Sequence, residues 1–418
     1  MRYFPAILLG RLIRFAVRLV RPGGGSALPG LVVSKLAPNL VTRTLQSFPK
    51  GLVIVTGTAG KSTTTKMAVA IARAHGLKVF TNPSTANIEQ GFFSTIVKSG
   101  NLFGRVIADI AIIEMDEGHA ATLVTKVKPN ISVILNVFED QLDRFIDPAF
   151  VRDKLELVAA ATKSKIITNA DDQNCLMIVS NKSSSNLEFF GTTPSTGKLA
   201  YAKTYEPELE SPNPAFQVTQ LQEMEVSLNT PVGKLQFELP SRGLHFAMDA
   251  AAAVAVSHEI LGTSFDSGLT IKTLNELPPV FSRGEIREIN GEPVEFILVQ
   301  NPISTQVNLD NLNGSPEQIL FAIGRDVHDP SWLWTVDYSK LSGVSIVSGF
   351  NYADAALVLS YNNVPVSRVE PDYFKAISDF LALPAPKDGI KTVIYSADAM
   401  RRLRRHLGFI DPEDVDRG

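Results

Sequence analysis

A chain of 418 residues, 44% hydrophobic and 20% charged, has the composition of a soluble globular protein of two or three domains. Its single cysteine, Cys175, excludes an internal disulfide and a cysteine-ligated zinc site and fits a reducing, cytoplasmic setting. The net charge of −3 hides an uneven distribution, because twelve basic residues precede the first acidic one, Glu89. Such a positive end favours phosphate groups, whether of a nucleotide or a lipid headgroup. No recognition motif accompanies it, so nucleic acid is not expected as a partner.

The first predicted element is a helix. Arg11, Arg14, Arg18 and Arg21 recur at spacings of 3, 4 and 3 and share one face, while Leu8, Leu9, Leu12, Phe15, Ala16 and Leu19 share the other. Two readings stand: a basic amphipathic helix lying on the anionic inner face of a membrane, or a helix packed on the domain with solvated arginines. Arginines interrupt the apolar run and no small-residue cleavage site follows, so a signal peptide is not expected. No run is long enough for a spanning helix. Pro22-Gly23-Gly24-Gly25-Ser26 and Pro29-Gly30 break the helix, and residues 1–48 are expected to form a separate N-terminal segment.

Next comes Val53-Ile54-Val55-Thr56-Gly57-Thr58-Ala59-Gly60-Lys61-Ser62-Thr63-Thr64, an apolar strand, a glycine loop and a helix start. That order builds a phosphate cradle. Gly57 and Gly60 let backbone N–H groups turn inward where a side chain would clash, and the helix adds its positive end. Lys61 is expected to reach the β- and γ-phosphates and Ser62 to ligate Mg²⁺. Only the short form of the pattern is present, since Val55 stands two residues before Gly57.

Strands then alternate with helices. Lys78–Thr81, Val106–Ile113, Ile131–Val137 and Lys165–Thr168 read as strands that end in polar clusters. These clusters are headed by Asn82, Glu114, Glu139 and Asn169-Ala170-Asp171-Asp172. In an open parallel sheet that edge binds ligands. Glu114 is the leading Mg²⁺ ligand, with Asp140 and Asp143 as second ligands or orienting groups. Arg283 is placed to clamp a phosphate from a domain junction. The six histidines show no paired spacing, so metalloprotease, deaminase and serine-hydrolase chemistry are not expected. Phe296–Val299 and Ile319–Ile323 read as strands of a C-terminal domain, and Ser396–Arg405 as a capped basic helix.

These residues carry a resemblance. The glycine loop, Glu114, Asn169-Ala170-Asp171-Asp172 and Gly243–Ala251 resemble the central ATPase domain of the Mur ligases. Gly24–Gly30, Thr81–Asn87, Glu114–Glu117, Asn136–Phe145 and Asp329-Pro330-Ser331-Trp332-Leu333-Trp334 resemble one branch, the MurT-type subunits of lipid II isoglutaminyl synthase. The implied fold is α/β: a central P-loop ATPase domain with a parallel sheet at 49–284, and a smaller α/β domain at 285–418. The implied activity is amidation. ATP activates the α-carboxylate of the lipid II D-glutamate as an acyl phosphate, and ammonia from a separate GatD-type glutaminase displaces the phosphate. The acceptor is lipid II or a related muramyl peptide. Cys175 lacks a glycine elbow and reads as a small buried residue, so any glutaminase must be another chain.

The resemblance places Gly57, Thr58, Gly60, Lys61, Ser62, Thr63, Asn82, Asp249 and Arg283 at ATP, Ser62 and Glu114 at Mg²⁺, and a closing aspartate in the C-terminal domain. Asp329 is the first choice for that aspartate and Asp326 the second. Four departures from the family pattern stand out. No cysteine lies in 191–225, where the family usually inserts a zinc ribbon, so no zinc is expected. Ala59 replaces Asn, Asp249 replaces the Asn expected at adenine, and Gln300 replaces a Lys. Two further readings stay open: a stand-alone Mur-like or folylpolyglutamate-like ligase that joins an amino acid, and a nucleotide-binding homologue without turnover.

Overall fold

The protein is seen in a computed structural model that describes residues 3–20, 27–82, 89–138, 148–199, 201–202, 207–278, 283–312, 316–387 and 389–409. The chain divides into two compact units. The first is built from residues 1–138, 147–239 and 244–277, and the second chiefly from 240–243 and 278–418.

The first unit begins with helices α1 (Phe4–Val20), α2 (Ala27–Leu36) and α3 (Leu40–Leu45). An alternating run follows: β1 (Leu52–Thr56), α4 (Lys61–Ala74), β2 (Val79–Phe80), α5 (Glu89–Ser99), β3 (Ile110–Glu114), α6 (Glu117–Val124) and β4 (Ile131–Ile134). It continues with α7 (Pro148–Ala161), β5 (Lys165–Asn169), α8 (Gln173–Val179) and β6 (Leu187–Thr192). A meander of β7 (Phe216–Gln222), β8 (Glu225–Thr230) and β9 (Gly233–Glu238) leads into α9 (Leu244–Leu261) and α10 (Ser267–Asn275). The nine strands form one sheet, ordered β2-β3-β1-β4-β5-β6-β7-β8-β9. It is parallel from β2 to β7 and antiparallel beyond.

Alternation along β1 explains why helices cover both faces. Val53 and Val55 join Met67 and Ile71 of α4 and Ala251 and Val254 of α9 in one core. Leu52 and Ile54 face Val33, Leu40, Phe92 and Phe93 in the other, which takes in α1, α2 and α3. The stretch Leu244–Ser264 is long and apolar enough to cross a membrane, yet it is mostly buried as the core helix of this unit. Its alanines, Ala247, Ala250–Ala253 and Ala255, are all buried, and small side chains let it lie close to α4.

Two parts differ from the sequence reading. β3 starts at Ile110 rather than Val106, and Ile107 is exposed. The β7–β9 meander was not foreseen. Its first turn uses Glu223 at φ 54°, with none of the Asn-Gly or Asp-Gly signals that mark a hairpin in a sequence.

The second unit holds β10 (Arg283–Ile289), β11 (Glu292–Leu298), α11 (Pro302–Asp310), β12 (Ile319–Ala322), β13 (Val344–Ser348) and α12 (Tyr352–Tyr361). It is completed by β14 (Val366–Glu370), α13 (Tyr373–Leu381), β15 (Lys391–Tyr395) and α14 (Ala397–His406). Its sheet is ordered β10-β11-β15-β12-β13-β14, antiparallel only between β10 and β11. Phe321, Ile323, Tyr338 and Val358 fill one side; Phe296, Leu320, Phe380 and Tyr395 fill the other.

Candidate nucleotide site at the sheet edge

Strands β3, β1 and β4 are neighbours, so whatever follows them leaves one sheet edge together. Val55 pairs with Glu114 and Thr56 with Ile134, which brings Glu114, the glycine loop and Asn136 side by side. The loop is left-handed at both glycines, with φ 130° at Gly57 and 84° at Gly60. A Cβ at Gly57 would lie 3.0 Å from the Asn136 backbone nitrogen, and one at Gly60 would lie 2.1 Å from Asp249 Oδ1. Only glycine fits either position.

Asn136 clamps the loop from the neighbouring strand. Its Oδ1 accepts from the Ala59 N–H at 2.8 Å, its Nδ2 donates to the Ala59 carbonyl at 3.1 Å, and its own carbonyl accepts from the Thr58 N–H at 3.1 Å. Thr58 Oγ1 accepts from the Phe138 N–H at 3.2 Å. The sequence reading gave Asn136 no role of its own. Only strand adjacency shows it, because Asn136 lies 77 residues from Ala59.

Lys61 Nζ curls over the loop and donates to the carbonyls of Gly57 at 2.5 Å and Thr58 at 3.0 Å. The carboxylate of Glu117, buried at the start of α6, lies 3.9 Å away. Ser62 sits half-buried in the first turn of α4, and Thr63 is buried behind it. Asn82 and Glu114 brace each other: Asn82 Nδ2 donates to the Glu114 carbonyl at 3.1 Å, and the Glu114 N–H donates to Asn82 Oδ1 at 3.0 Å. Asp249, on the first turns of α9, is buried against Gly60 rather than reaching outward.

The end of β5 works differently. Buried Asp172 accepts from the N–H groups of Val137 at 2.6 Å and Asn174 at 2.9 Å, and burial pushes its carboxyl up to about 6 against the pull of those bonds. Asp171 accepts from the Thr192 N–H and hydroxyl at 2.8 and 2.9 Å. Both carboxylates fasten loops. Cys175 is fully buried beneath them, and desolvation followed by the Asp172 charge holds its thiol protonated. A protonated, buried thiol is no nucleophile.

Three expected site residues belong to the second unit. Asp326 is consumed as a cap: it accepts from Ser396 Oγ at 2.7 Å and from the N–H groups of Ala397 at 2.8 Å and Asp398 at 3.0 Å, which fixes the start of α14. Asp329 is half-exposed and caps the turn Pro330–Thr335 through the Ser331 N–H at 2.9 Å. Hydrogen bonds from Ser331 hold its carboxyl below the usual range. Arg283 opens β10, and its side chain lies outside the described residues. So do Asp140 and Asp143. Asn301, beside Gln300, forms a capping box with Ser304 at the start of α11.

The donor set at the first unit's edge fits a magnesium nucleotide. A left-handed glycine loop and a helix start suit phosphate oxygens. Among the described residues, no three His, Cys, Asp or Glu side chains converge on a ready metal cage. One hydroxyl, Ser62, and one carboxylate, Glu114, suit a hard cation that keeps most of its waters.

Residues 55–257 match the family model for the Mur ligase middle domain, and residues 298–397 match the model for the MurT ligase C-terminal domain. The chain belongs to the MurT-type branch of the Mur ligases. One curated relative, the MurT subunit of lipid II isoglutaminyl synthase from Streptococcus pneumoniae, is 26% identical over 408 residues, covering 87% of this chain and 88% of that one. Solved structures share the fold. A pseudomurein peptide ligase type C from Methanothermus fervidus superposes with a TM-score of 0.67 at 18% identity, over 88% of this chain and 80% of that one. MurF ligase from Thermotoga maritima, solved with ADP, gives 0.64 at 18% identity, over 93% and 85%. As a Mur-type chain, the protein is an ATP-dependent carbon–nitrogen ligase of the amidating kind.

Proposed function

We propose that this MurT-type ligase is the synthetase subunit of a lipid II isoglutaminyl synthase, working on the cytoplasmic side where ATP is present. The acceptor is the α-carboxylate of the D-glutamate in the stem peptide of lipid II or a related muramyl peptide. A carboxylate oxygen takes the γ-phosphoryl group of ATP, which gives an acyl phosphate and ADP. Ammonia attacks the acyl carbon, phosphate leaves with the C–O bonding pair, and the product is D-isoglutamine. The reading is carried by one observation: a Mur-type nucleotide loop and a MurT C-terminal domain occur on one chain. The burial of Cys175 agrees with ammonia arriving from a second protein, a GatD-type glutaminase.

Each residue has a task in this proposal. Backbone groups of Gly57, Gly60 and Thr63 and the hydroxyl of Thr58 hold phosphate oxygens, with the loop kept in register by Asn136. Lys61 swings from its carbonyl partners onto the β- and γ-phosphates. Ser62 and Glu114 would hold Mg²⁺, which when bound neutralises charge on the transferring phosphoryl group. Asn82 sets the Glu114 backbone, Asp249 lines the Gly60 side, and Arg283 supplies a further phosphate contact. Asp329, kept ionised by Ser331, receives the incoming ammonia and couples the site to the glutaminase.

Phosphate release tests it, measured with lipid II, ATP and either ammonium or free amino acids. Ammonium-dependent release with loss of the acceptor's carboxylate charge is expected. Equal release with amino acids would show a stand-alone amino-acid ligase. Nucleotide binding without turnover under every condition would show a non-catalytic homologue.

A further inference from the structure

Helix α1 keeps Leu8, Leu9, Leu12 and Phe15 outward, as the membrane reading of the sequence has them, and takes Arg11 inward, which neither reading expects. Its inward stripe is Ile7, Gly10 and Arg11. A Cβ at Gly10 would lie 2.6 Å from Val33 Cγ2, so glycine lets α1 lie against α2 and α5. Arg11 turns inward too: its Nε donates to the Val97 carbonyl at 3.2 Å and its Nη2 to the Gly100 carbonyl. Those carbonyls end α5, where a cation meets unpaired acceptors and the negative end of the helix.

With an arginine taken inward, the outward stripe is apolar. Phe4, Leu8, Leu9, Leu12, Phe15 and Ala16 are exposed, Leu12 at 57% and Phe15 at 65%. The surface continues past α1. Phe4 meets Phe103 with ring centroids 6.1 Å apart, and Ile107 in the same loop is 74% exposed. Leu28 and Leu31 on α2 are exposed as well. Around this surface stand exposed Lys35, Lys98 and Arg105, and Glu89 is the only acidic residue before Asp109.

We infer that this α1–α2 face inserts shallowly into an anionic lipid bilayer surface. Its chemistry is aliphatic and phenylalanyl with Lys35, Lys98 and Arg105 around it, the pattern of interfacial helices. Protein-interface hot spots are enriched in Trp, Tyr and Arg, and none of these exposed apolar residues is Trp or Tyr. Lying on the bilayer brings a soluble ATP-using site to any acceptor held there by a lipid. The inference rests on these exposed residues alone and is tested without acceptor or ATP turnover, so the amidation reading can fail while this one holds.

The test is sedimentation of the full chain with vesicles of phosphatidylcholine alone or mixed with phosphatidylglycerol. Binding to the anionic vesicles, weakened by salt, is expected. The double variant Leu12→Asp/Phe15→Asp is expected to lose at least about tenfold in partitioning, because two exposed apolar side chains that enter the bilayer in this proposal are replaced by carboxylates. Nucleotide binding and thermal melting check that it folds. A wild-type chain left in the supernatant, or a double variant that binds as well, overturns the proposal. So does loss of vesicle binding when a glutaminase partner is added, which would assign the face to a protein.

Discussion

Two mainly parallel sheets in one chain end their strands in polar residues, and the groups beside β1 in the first and beside β12 in the second are used in opposite ways. In the first unit, the groups after β1, β3 and β4 surround a glycine loop held in left-handed conformation. In the second, the groups after β11, β12 and β15 close helices: Asn301 caps α11, Asp326 anchors α14, and Ser396 joins the same network. Residue type therefore does not separate a ligand edge from a cap. Backbone conformation does. A left-handed glycine at the start of α4 puts no side chain on the helix's first N–H groups, whereas an extended N-cap residue spends its carboxylate on its own helix.

The sharpest break of this contrast is at Lys61. Lys61→Ala is expected to lower ammonium-dependent phosphate release at least about a hundredfold, on the scale of losing one charge-stabilising donor at the transferring group, with an unchanged melting curve. Retained turnover would remove the first sheet's edge as the site.

The aspartates of the second unit separate next. Asp326→Ala leaves three donors at the start of α14 without their acceptor and is expected to destabilise the protein by about 2–4 kcal/mol in denaturant melts. Asp329→Ala loses one exposed turn cap. It is expected to leave the melt nearly unchanged while cutting amidation about tenfold or more, with ATP binding intact. The reverse pattern would exchange the two roles.

Asn136→Ala removes the clamp between β4 and the glycine loop. It is expected to raise the KM for ATP about tenfold, equivalent to about 1.4 kcal/mol, with a smaller effect on melting.

The pH dependence of stability tests burial. Glu295 on β11 is held up at about 7 by desolvation, partly opposed by Arg242, and Asp172 at about 6. Both values lie above the ordinary carboxyl range, so the folded state holds protons that the unfolded state has released. Stability from these two groups is thus expected to fall as pH rises from about 4 through 7. Glu295→Gln should flatten the upper part of that slope in melts between pH 5 and 8.

The smallest expected effect is at Asp249. Its carboxylate lies against Gly60 at the start of α4, where phosphate charge would gather. Asp249→Asn is expected to tighten nucleotide binding two- to fivefold by calorimetry, about 0.5–1 kcal/mol, through relief of like-charge repulsion.

Much of this was legible in the residues themselves. The strand, glycine loop and helix start at 53–64 are local chemistry: apolar β-branched residues, two glycines where φ turns positive, then a helix that needs no acidic cap. The family and its two-part α/β architecture followed from motifs spread along the chain. The β7–β9 meander was hidden because its turn at Glu223 carries no glycine signal, and its strands are half exposed.

What the sequence alone determined was the set of chemical groups and the local conformations that offer them: the phosphate loop, the arginine spacing of α1, the aspartates after β12. What only the tertiary structure decided was which of those groups are already committed. Asp326 is spent on a helix 70 residues away, Asn136 reaches back across 77 residues to lock the loop, and Arg11 turns to carbonyls at the end of α5 and leaves an apolar face outward. The reason is physical. A hydrogen bond between distant segments depends on strand order and helix packing, and those are set by burial summed over the whole core rather than by any stretch of neighbouring residues.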